Sequence, residues 1–165
     1  MIQVTDPKIQ PQPQELPDTF METDNFDPAA RIFFSDHVLR EAGSNKLSII
    51  GIFQAWNAPQ FPFTVPRFIA TVSLENLINL PSKLNLTVRI EQIGTGHVLT
   101  SSGAAVGFAE NIKVDDATSS IEVSFPVGPF IVNAAGKYVA VVLANGNEIA
   151  RKQFFVNSIT QPQSG

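Results

Sequence analysis

The sequence contains no cysteine among its 165 residues. Disulfide bonds, thiolate metal sites and cysteine nucleophiles are therefore excluded. Long apolar runs are also missing, since no stretch approaches the roughly 20 residues that a membrane-spanning helix needs. The first residues form neither a basic region nor an apolar one, so we expect no signal peptide. These absences predict a cytoplasmic protein that has no membrane partner.

Basic residues are scarce, with 11 Lys and Arg against 15 Asp and Glu, which gives a net charge of −4. Residues 1–28 hold six of the acidic residues and a single lysine, Lys8. The rest of the chain is therefore nearly neutral and lacks the basic footprint that binding to phosphate backbones requires. The composition predicts that nucleic acid is not a partner.

Prolines concentrate at the start of the chain, where residues 1–28 contain five of the twelve. This segment includes the low-complexity run Gln10-Pro11-Gln12-Pro13-Gln14, which cannot bury apolar surface. We predict a disordered acidic Pro/Gln-rich tail over residues 1–28 and a β-sandwich domain over 29–157. A second short tail follows over 158–165.

A hairpin near the end of the chain gives the sharpest structural signal. The apolar run that begins at Gly136 meets Asn145-Gly146, and a second run follows from Ile149 to Val156. Asn-Gly supplies the positive φ angles of a tight hairpin turn. Ile149 has the opposite parity from Phe154 and Val156, so we expect a bulge near Arg151 or a three-residue loop.

Alternating apolar and polar residues recur throughout the domain, most cleanly over Leu84–Ile93. His97–Ser101 is predicted as a short strand, and Ala105–Val114 as a separate, weaker one. About eight such strands, with no amphipathic helix of useful length, indicate an all-β fold with one wet face on each sheet. We predict a two-layer antiparallel immunoglobulin-like sandwich, and a closed barrel is the alternative.

Two parts of the chain resemble a family of short uncharacterised bacterial proteins. The first part covers Phe33–Gly43 and Lys46–Phe53, which ends in Gly-Ile-Phe and is followed by Ala58–Pro62. The second is the terminal hairpin, which is also similar to the last two strands of many immunoglobulin-like domains. The resemblance spans about residues 30–156 and implies the immunoglobulin-like sandwich. It assigns no functional residue, because the family is one of unknown function.

Ser35-Asp36-His37 is the most tempting catalytic sequence, but neighbouring strand residues point to opposite faces. Ser35 and His37 would share one face and Asp36 the other, so no triad is expected. The two histidines, His37 and His97, lack the spacing of a metal site, and no metal or other cofactor is expected. A site assembled from His97 with one of three distant carboxylates is the enzyme alternative; these carboxylates are Glu110, Asp115 and Asp116.

The best functional candidates are aromatic residues in the proline-pinned connection 53–68. Phe53, Trp56, Phe61 and Phe63 lie on a segment whose prolines rule out a central strand. Aromatic side chains on a stiff loop are typical of protein interfaces, because little entropy is lost on binding. The alternative is that these rings close the open end of the sandwich.

The sequence therefore favours a protein-binding module over an enzyme, since the polar constellation that catalysis needs is not visible. Binding would use residues 53–68, an exposed sheet edge or the tail, with another protein or a second copy as the partner. Two alternatives stay open. One is an enzyme or small-ligand-binding domain with an unrecognised site, and the other is a structural subunit that self-assembles.

Overall fold

The computed structural model describes residues 28–44, 46–77, 81, 83–107 and 120–159, and this part of the chain is all-β, as predicted. It contains eleven strands: β1 (Ala29–Arg40), β2 (Leu47–Ile52), β3 (Ala55–Ala58), β4 (Phe63–Val65), β5 (Phe68–Glu75), β6 (Lys83–Gln92), β7 (Val98–Gly107), β8 (Ile121–Val127), β9 (Phe130–Val132), β10 (Gly136–Ala144) and β11 (Asn147–Ser158). The predicted tail over 1–28 lies outside the described residues except for Pro28. Most of the second tail, 158–165, also lies outside them.

Two sheets form the two layers of the fold. The first sheet has the strand order β2-β1-β5-β8, the second has the order β3-β11-β10-β6-β7, and β4 pairs with β9 in a separate ribbon. Neighbouring strands are antiparallel except for β3 and β11, which run parallel. The chain passes from one layer to the other directly after β2. Phe53 N still donates to Phe34 O in the first sheet, whereas Gln54 O accepts from Phe155 N in the second.

An aromatic cluster fills the space between the sheets. Phe34 of the first sheet and Phe154 of the second are both fully buried, and their ring centroids lie 5.6 Å apart. Phe68 meets Phe34 edge to face at 5.7 Å, and Tyr138 stacks on Phe154 at the same separation. Such pairs add about 0.5–1.5 kcal/mol each beyond the area that they bury, so this cluster is the centre of the core.

Lys152 of β11 also links the two layers. Its Nζ donates a 2.8 Å hydrogen bond to the carbonyl oxygen of Ile32 in β1. The ammonium group lies 5.6 Å from the centroid of the Phe33 ring and 5.3 Å from that of Phe34, within cation–π range. Burial among these apolar groups lowers the pKa of Lys152, because desolvation penalises its charged form.

The terminal hairpin confirms the sequence prediction in detail. Asn145 and Gly146 have φ angles of 49° and 88°, as a tight turn between β10 and β11 requires. Val142 lies opposite Ala150, but Leu143 lies opposite Glu148, so Ile149 is the extra residue of a bulge. The bulge lies two positions from the predicted Arg151 and resolves the conflict in parity.

The prediction of two separate strands at 97–101 and 105–114 is wrong. A single strand, β7, runs from Val98 to Gly107, and residues 108–114 lie outside the described part of the chain. The segment Gly103-Ala104-Ala105 has weak intrinsic strand propensity, which hid its continuity. Pairing with β6 imposes the strand: a Cβ at Gly103 would lie 3.2 Å from Thr87 Oγ1, so the backbones approach closely there.

Tyr138 lies near the start of β10, and its hydroxyl donates a 2.7 Å hydrogen bond to the carbonyl oxygen of Ala134. A tyrosine at the start of this strand that bonds back to the chain just upstream is a hallmark of immunoglobulin-like domains. Desolvation raises the pKa of Tyr138 and outweighs this hydrogen bond, which acts to lower it. The immunoglobulin-like class itself stays a prediction.

We expect Tyr138→Phe to lower the free energy of unfolding by about 1–2 kcal/mol, because the Ala134 carbonyl loses its donor while the buried ring is kept. Urea denaturation at neutral pH measures this difference. Above pH 10 the difference in the free energy of unfolding between wild type and Tyr138→Phe should shrink. A pKa that is raised in the folded state stabilises the fold at pH values below the pKa of the unfolded state, and this contribution is lost as the pH rises through the folded pKa. A gap that widened with pH would contradict this account.

Candidate interaction site

The outer half of β1 continues beyond its pairing with β5 and forms a hairpin with β2. β1 pairs with β5 only as far as Ser35, which lies opposite Ile69. From Ser35 onward, β1 pairs with β2, and Glu41 N donates to Lys46 O near the tip. We call this hairpin, residues 35–52, the arm.

The arm lies across the outer face of the first sheet. Alternate residues of that sheet, such as Phe34 and Val72, point into the core, whereas Phe33, Thr71 and Glu122 face outward. Arm residues and outward-facing residues together line two open depressions of about 480 and 460 Å³. Arg40 near the tip donates to the carbonyl oxygen of Glu122 at 3.5 Å. The arm therefore folds back over β8 instead of extending away from the domain.

A glycine lies where the arm bends. Gly51 has a φ of 72°, a backbone conformation that side-chain-bearing residues rarely adopt. It falls opposite Asp36, between the pairs Ser35–Ile52 and His37–Ile50. A Cβ at this position would collide with the Asp36 carboxylate. Both the backbone angle and the close approach therefore require glycine here.

The outward side of the arm carries apolar residues in water. Leu39 is 59% exposed, Ile50 46% and Ile52 56%. They alternate along their strands with the residues that face the sheet, and His37 lies opposite Ile50 on the same side. We call these four residues the apolar face of the arm. Of the eight large apolar side chains that are exposed in the described part of the chain, three belong to it.

The four aromatic residues predicted as interaction candidates pack against the core. Phe53 and Trp56 come together with ring centroids 4.3 Å apart, and Trp56 also lies 5.0 Å from Phe68 and 5.3 Å from Phe154. Phe61 and Phe63 are half-buried against the same core. This packing resembles that of rings that close the open end of a sandwich. An interface role for the half-exposed rings stays a prediction. The arm residues gave no comparable sequence signal, because Ile50 and Ile52 read as ordinary strand residues.

Burial separates Ser35 from its sequence neighbours Asp36 and His37. Ser35 is fully buried, and its Oγ finds no hydrogen-bond partner among the described residues. Asp36 and His37 are exposed and line the same depression, which also includes Arg40 and Ser124. The register of the arm keeps the predicted alternation, with His37 on the side of Ile50 and Asp36 on the other, so the two residues border this depression from different sides of the strand.

The enzyme alternative around His97 is only partly described. His97 lines a third depression of about 440 Å³ together with Gln92, Asn133 and Tyr138. Its proposed carboxylate partners, Glu110, Asp115 and Asp116, lie outside the described residues. Within 28–44, 46–77, 81, 83–107 and 120–159, no three His, Cys, Asp or Glu side chains group closely enough to hold a metal ion. The same ranges contain no helix with the length and apolarity for crossing a membrane.

Comparison with known proteins gives a family and distant structural likenesses. The sequence profile of DUF6941, a family of unknown function, matches residues 30–157. No curated protein matches the chain. A solved structure, Pseudomonas fluorescens alkylpurine DNA glycosylase AlkC bound to DNA containing an abasic site analog, is similar with 17% identity and a TM-score of 0.39. The similarity covers 78% of this chain but only 30% of the glycosylase.

These findings change one prediction and leave others untested. The exclusion of nucleic acid as a partner is wrong as stated: net charge alone cannot carry it, and one of the similar solved structures is that of a DNA-bound protein. A near-neutral net charge averages over the whole surface, and binding depends on the local arrangement of charges, so composition cannot carry such an exclusion. The glycosylase is too distant to assign a ligand to this chain. A bacterial origin and the immunoglobulin-like class stay predictions.

Proposed function

Because the chain belongs to DUF6941, a family of unknown function, we propose its role from its own surface: it is a non-catalytic protein-binding module that engages a partner through the apolar face of the arm. The observation that carries this proposal is the exposure of Leu39, Ile50 and Ile52 on one side of a two-stranded hairpin. The cytoplasmic location stays a prediction.

The physical argument is that these side chains gain from being covered. Fully burying a leucine or isoleucine side chain contributes about 1.5–3 kcal/mol, so three half-exposed ones offer several kcal/mol to a partner. They alternate on paired strands, which holds them on one side of the arm, so that binding need not order this part of the backbone. Preorganised apolar side chains of this kind form the centre of many protein interfaces.

The non-catalytic part of the proposal rests on the arm as well. Ser35, the one hydroxyl beside Asp36 and His37 in sequence, is buried away from the depression that those two residues line, and Ser124, which does line it, shares a 3.0 Å hydrogen bond with the hydroxyl of Thr71. A nucleophile has to be within reach of both its base and its substrate. The geometry of the arm therefore supports noncovalent binding of a partner better than nucleophilic catalysis.

We expect Ile52→Lys to abolish capture of the partner from a lysate of the host organism, because a charge would have to be buried at the centre of the contact. The matched control is Ile131→Lys on β9, since Ile131 is 57% exposed and Ile52 is 56% exposed. Captured proteins are identified by mass spectrometry, and affinity for the purified partner should fall by at least about tenfold.

Both variants should fold, because surface substitutions usually change stability by less than about 0.5 kcal/mol. Thermal unfolding checks this. Equal capture by wild type and Ile52→Lys would contradict the proposal. Equal loss in both variants, or no specific protein captured by wild type, would contradict it too.

A further inference from the structure

The terminal strands of the two sheets differ in how they are protected. Such strands present main-chain N–H and C=O groups to which another strand can add, and proteins usually block them. The terminal strands here are β2 and β8 in the first sheet and β3 and β7 in the second. β2 is interrupted by the positive φ of Gly51, β8 contains Glu122 and Pro126, and β3 has only four residues. Each of these features hinders strand addition.

β7 carries none of these features. It is ten residues long and contains no charged residue and no proline. A register shift with β6 lies beside Leu99, between the pairs Ile90–Thr100 and Glu91–Val98, whereas the pairing is unbroken from Thr100 to Gly107, so these eight residues form a regular edge. Ser101, Gly103, Ala104 and Ala105 are all exposed at this edge. Among the described strands, β7 is the terminal strand that is best suited to accept another one.

We propose that β7 pairs antiparallel with β7 of a second copy of this chain, so that the two second sheets join into one continuous sheet. An uncharged strand offers nothing by which a charged segment would be selected. A fitting partner strand is itself uncharged, regular and small in its side chains, and β7 matches that description. This inference is independent of the arm, which belongs to the other sheet.

The side chains of β7 are compatible with pairing between two copies of this strand. In a register centred on Ser102, that residue lies opposite its own copy, Ser101 lies opposite Gly103, and Thr100 lies opposite Ala104. An even register is required, because both copies must keep their core-facing residues on the same side of the joined sheet. No pair in this register brings like charges or two bulky side chains together, so the energetic obstacles to symmetric pairing are small.

The chain has no cysteine, so a single introduced thiol reports on this contact without background. Directly opposed residues of an antiparallel pair have Cα atoms about 4.5–5.5 Å apart, within the span of a disulfide. We expect Ser102→Cys to form a disulfide-linked dimer on mild oxidation. Ser158→Cys, exposed at the far end of the same sheet, controls for collisions in solution. Equal dimer yields from the two variants would overturn the proposal.

Sedimentation equilibrium provides the second readout. The wild type should show a concentration-dependent dimer, and Ser101→Lys should weaken it by about tenfold or more, because two lysines would face each other diagonally across the joint. Ser101→Thr should dimerise as the wild type does. Ile52→Lys should also dimerise normally, which separates this inference from the proposed role of the arm. A wild type that stays monomeric at all concentrations would overturn the inference and leave β7 to a strand from another protein.

Discussion

Trp56→Ala is expected to lower the free energy of unfolding by about 3 kcal/mol. The indole lies within 5.3 Å of the ring centroids of Phe53, Phe68 and Phe154, so its removal leaves a cavity beside the centre of the core. The loss falls at the lower end of the range for tryptophan truncations, because the side chain is half-buried and the cavity can open to water. Urea denaturation, with the midpoint and slope fitted separately, measures it.

Phe155→Ala is the matched control for this prediction. Phe155 is adjacent to the buried Phe154 but points outward and is 39% exposed, so its truncation should cost less than about 1 kcal/mol. The opposite pattern is informative as well. If Trp56→Ala left stability unchanged but weakened partner binding, Trp56 would be an interface anchor, and the binding surface would extend beyond the arm to the aromatic connection.

Gly51→Val is expected to destabilise the protein by about 2–3 kcal/mol, with the damage confined to the arm. A valine at a φ of 72° is strained, and its Cβ would displace the Asp36 carboxylate. Because two open depressions lie between the arm and the first sheet, we expect the arm to detach while the core stays folded. Hydrogen exchange followed by mass spectrometry should show faster exchange in residues 35–52 and unchanged exchange in β10 and β11.

A pair of further variants separates the two causes. Gly51→Ala with Asp36→Ala removes the carboxylate that the new Cβ would meet but keeps the strained φ. If the collision is the main cost, the double variant should recover most of the stability that Gly51→Ala alone loses. Uniformly faster exchange across both sheets would contradict the view that the arm is a separate unit, as would unchanged exchange in the arm.

Local sequence patterns predicted much of the fold because their causes are local. The turn at Asn145-Gly146 follows from backbone preferences of those two residues, and the parity of Ile149 indicated a bulge or a three-residue loop, of which the structure has the bulge, at Ile149. Alternation over Leu84–Ile93 likewise predicted a strand with one buried side. Continuity of β7 was missed, since Gly103 and Ala104 adopt a strand only because β6 pairs with them.

The arm could not be predicted because its position depends on contacts distant in sequence. Nothing near Arg40 indicates that its guanidinium reaches the carbonyl of Glu122, 82 residues away. Gly51 was visible only as a glycine within a strand pattern, which is compatible with several local irregularities. Exposure of Ile50 and Ile52 also depends on which side of the hairpin faces the sheet. The candidate site therefore required the three-dimensional structure.

The parallel pairing of β3 with β11 makes the domain resist pulling force more strongly in one direction than in others. β3 follows the arm directly in the chain, and four of its residues, Ala55–Ala58, lie beside Phe155–Ser158. Tension that entered through a held arm and left through the end of β11 would load these rungs in shear, so that they would have to break together. The antiparallel hairpin β10–β11, pulled apart from its open end, would instead unzip rung by rung. A partner bound to the arm would thus be connected to the domain through the strand pairing that resists force more strongly.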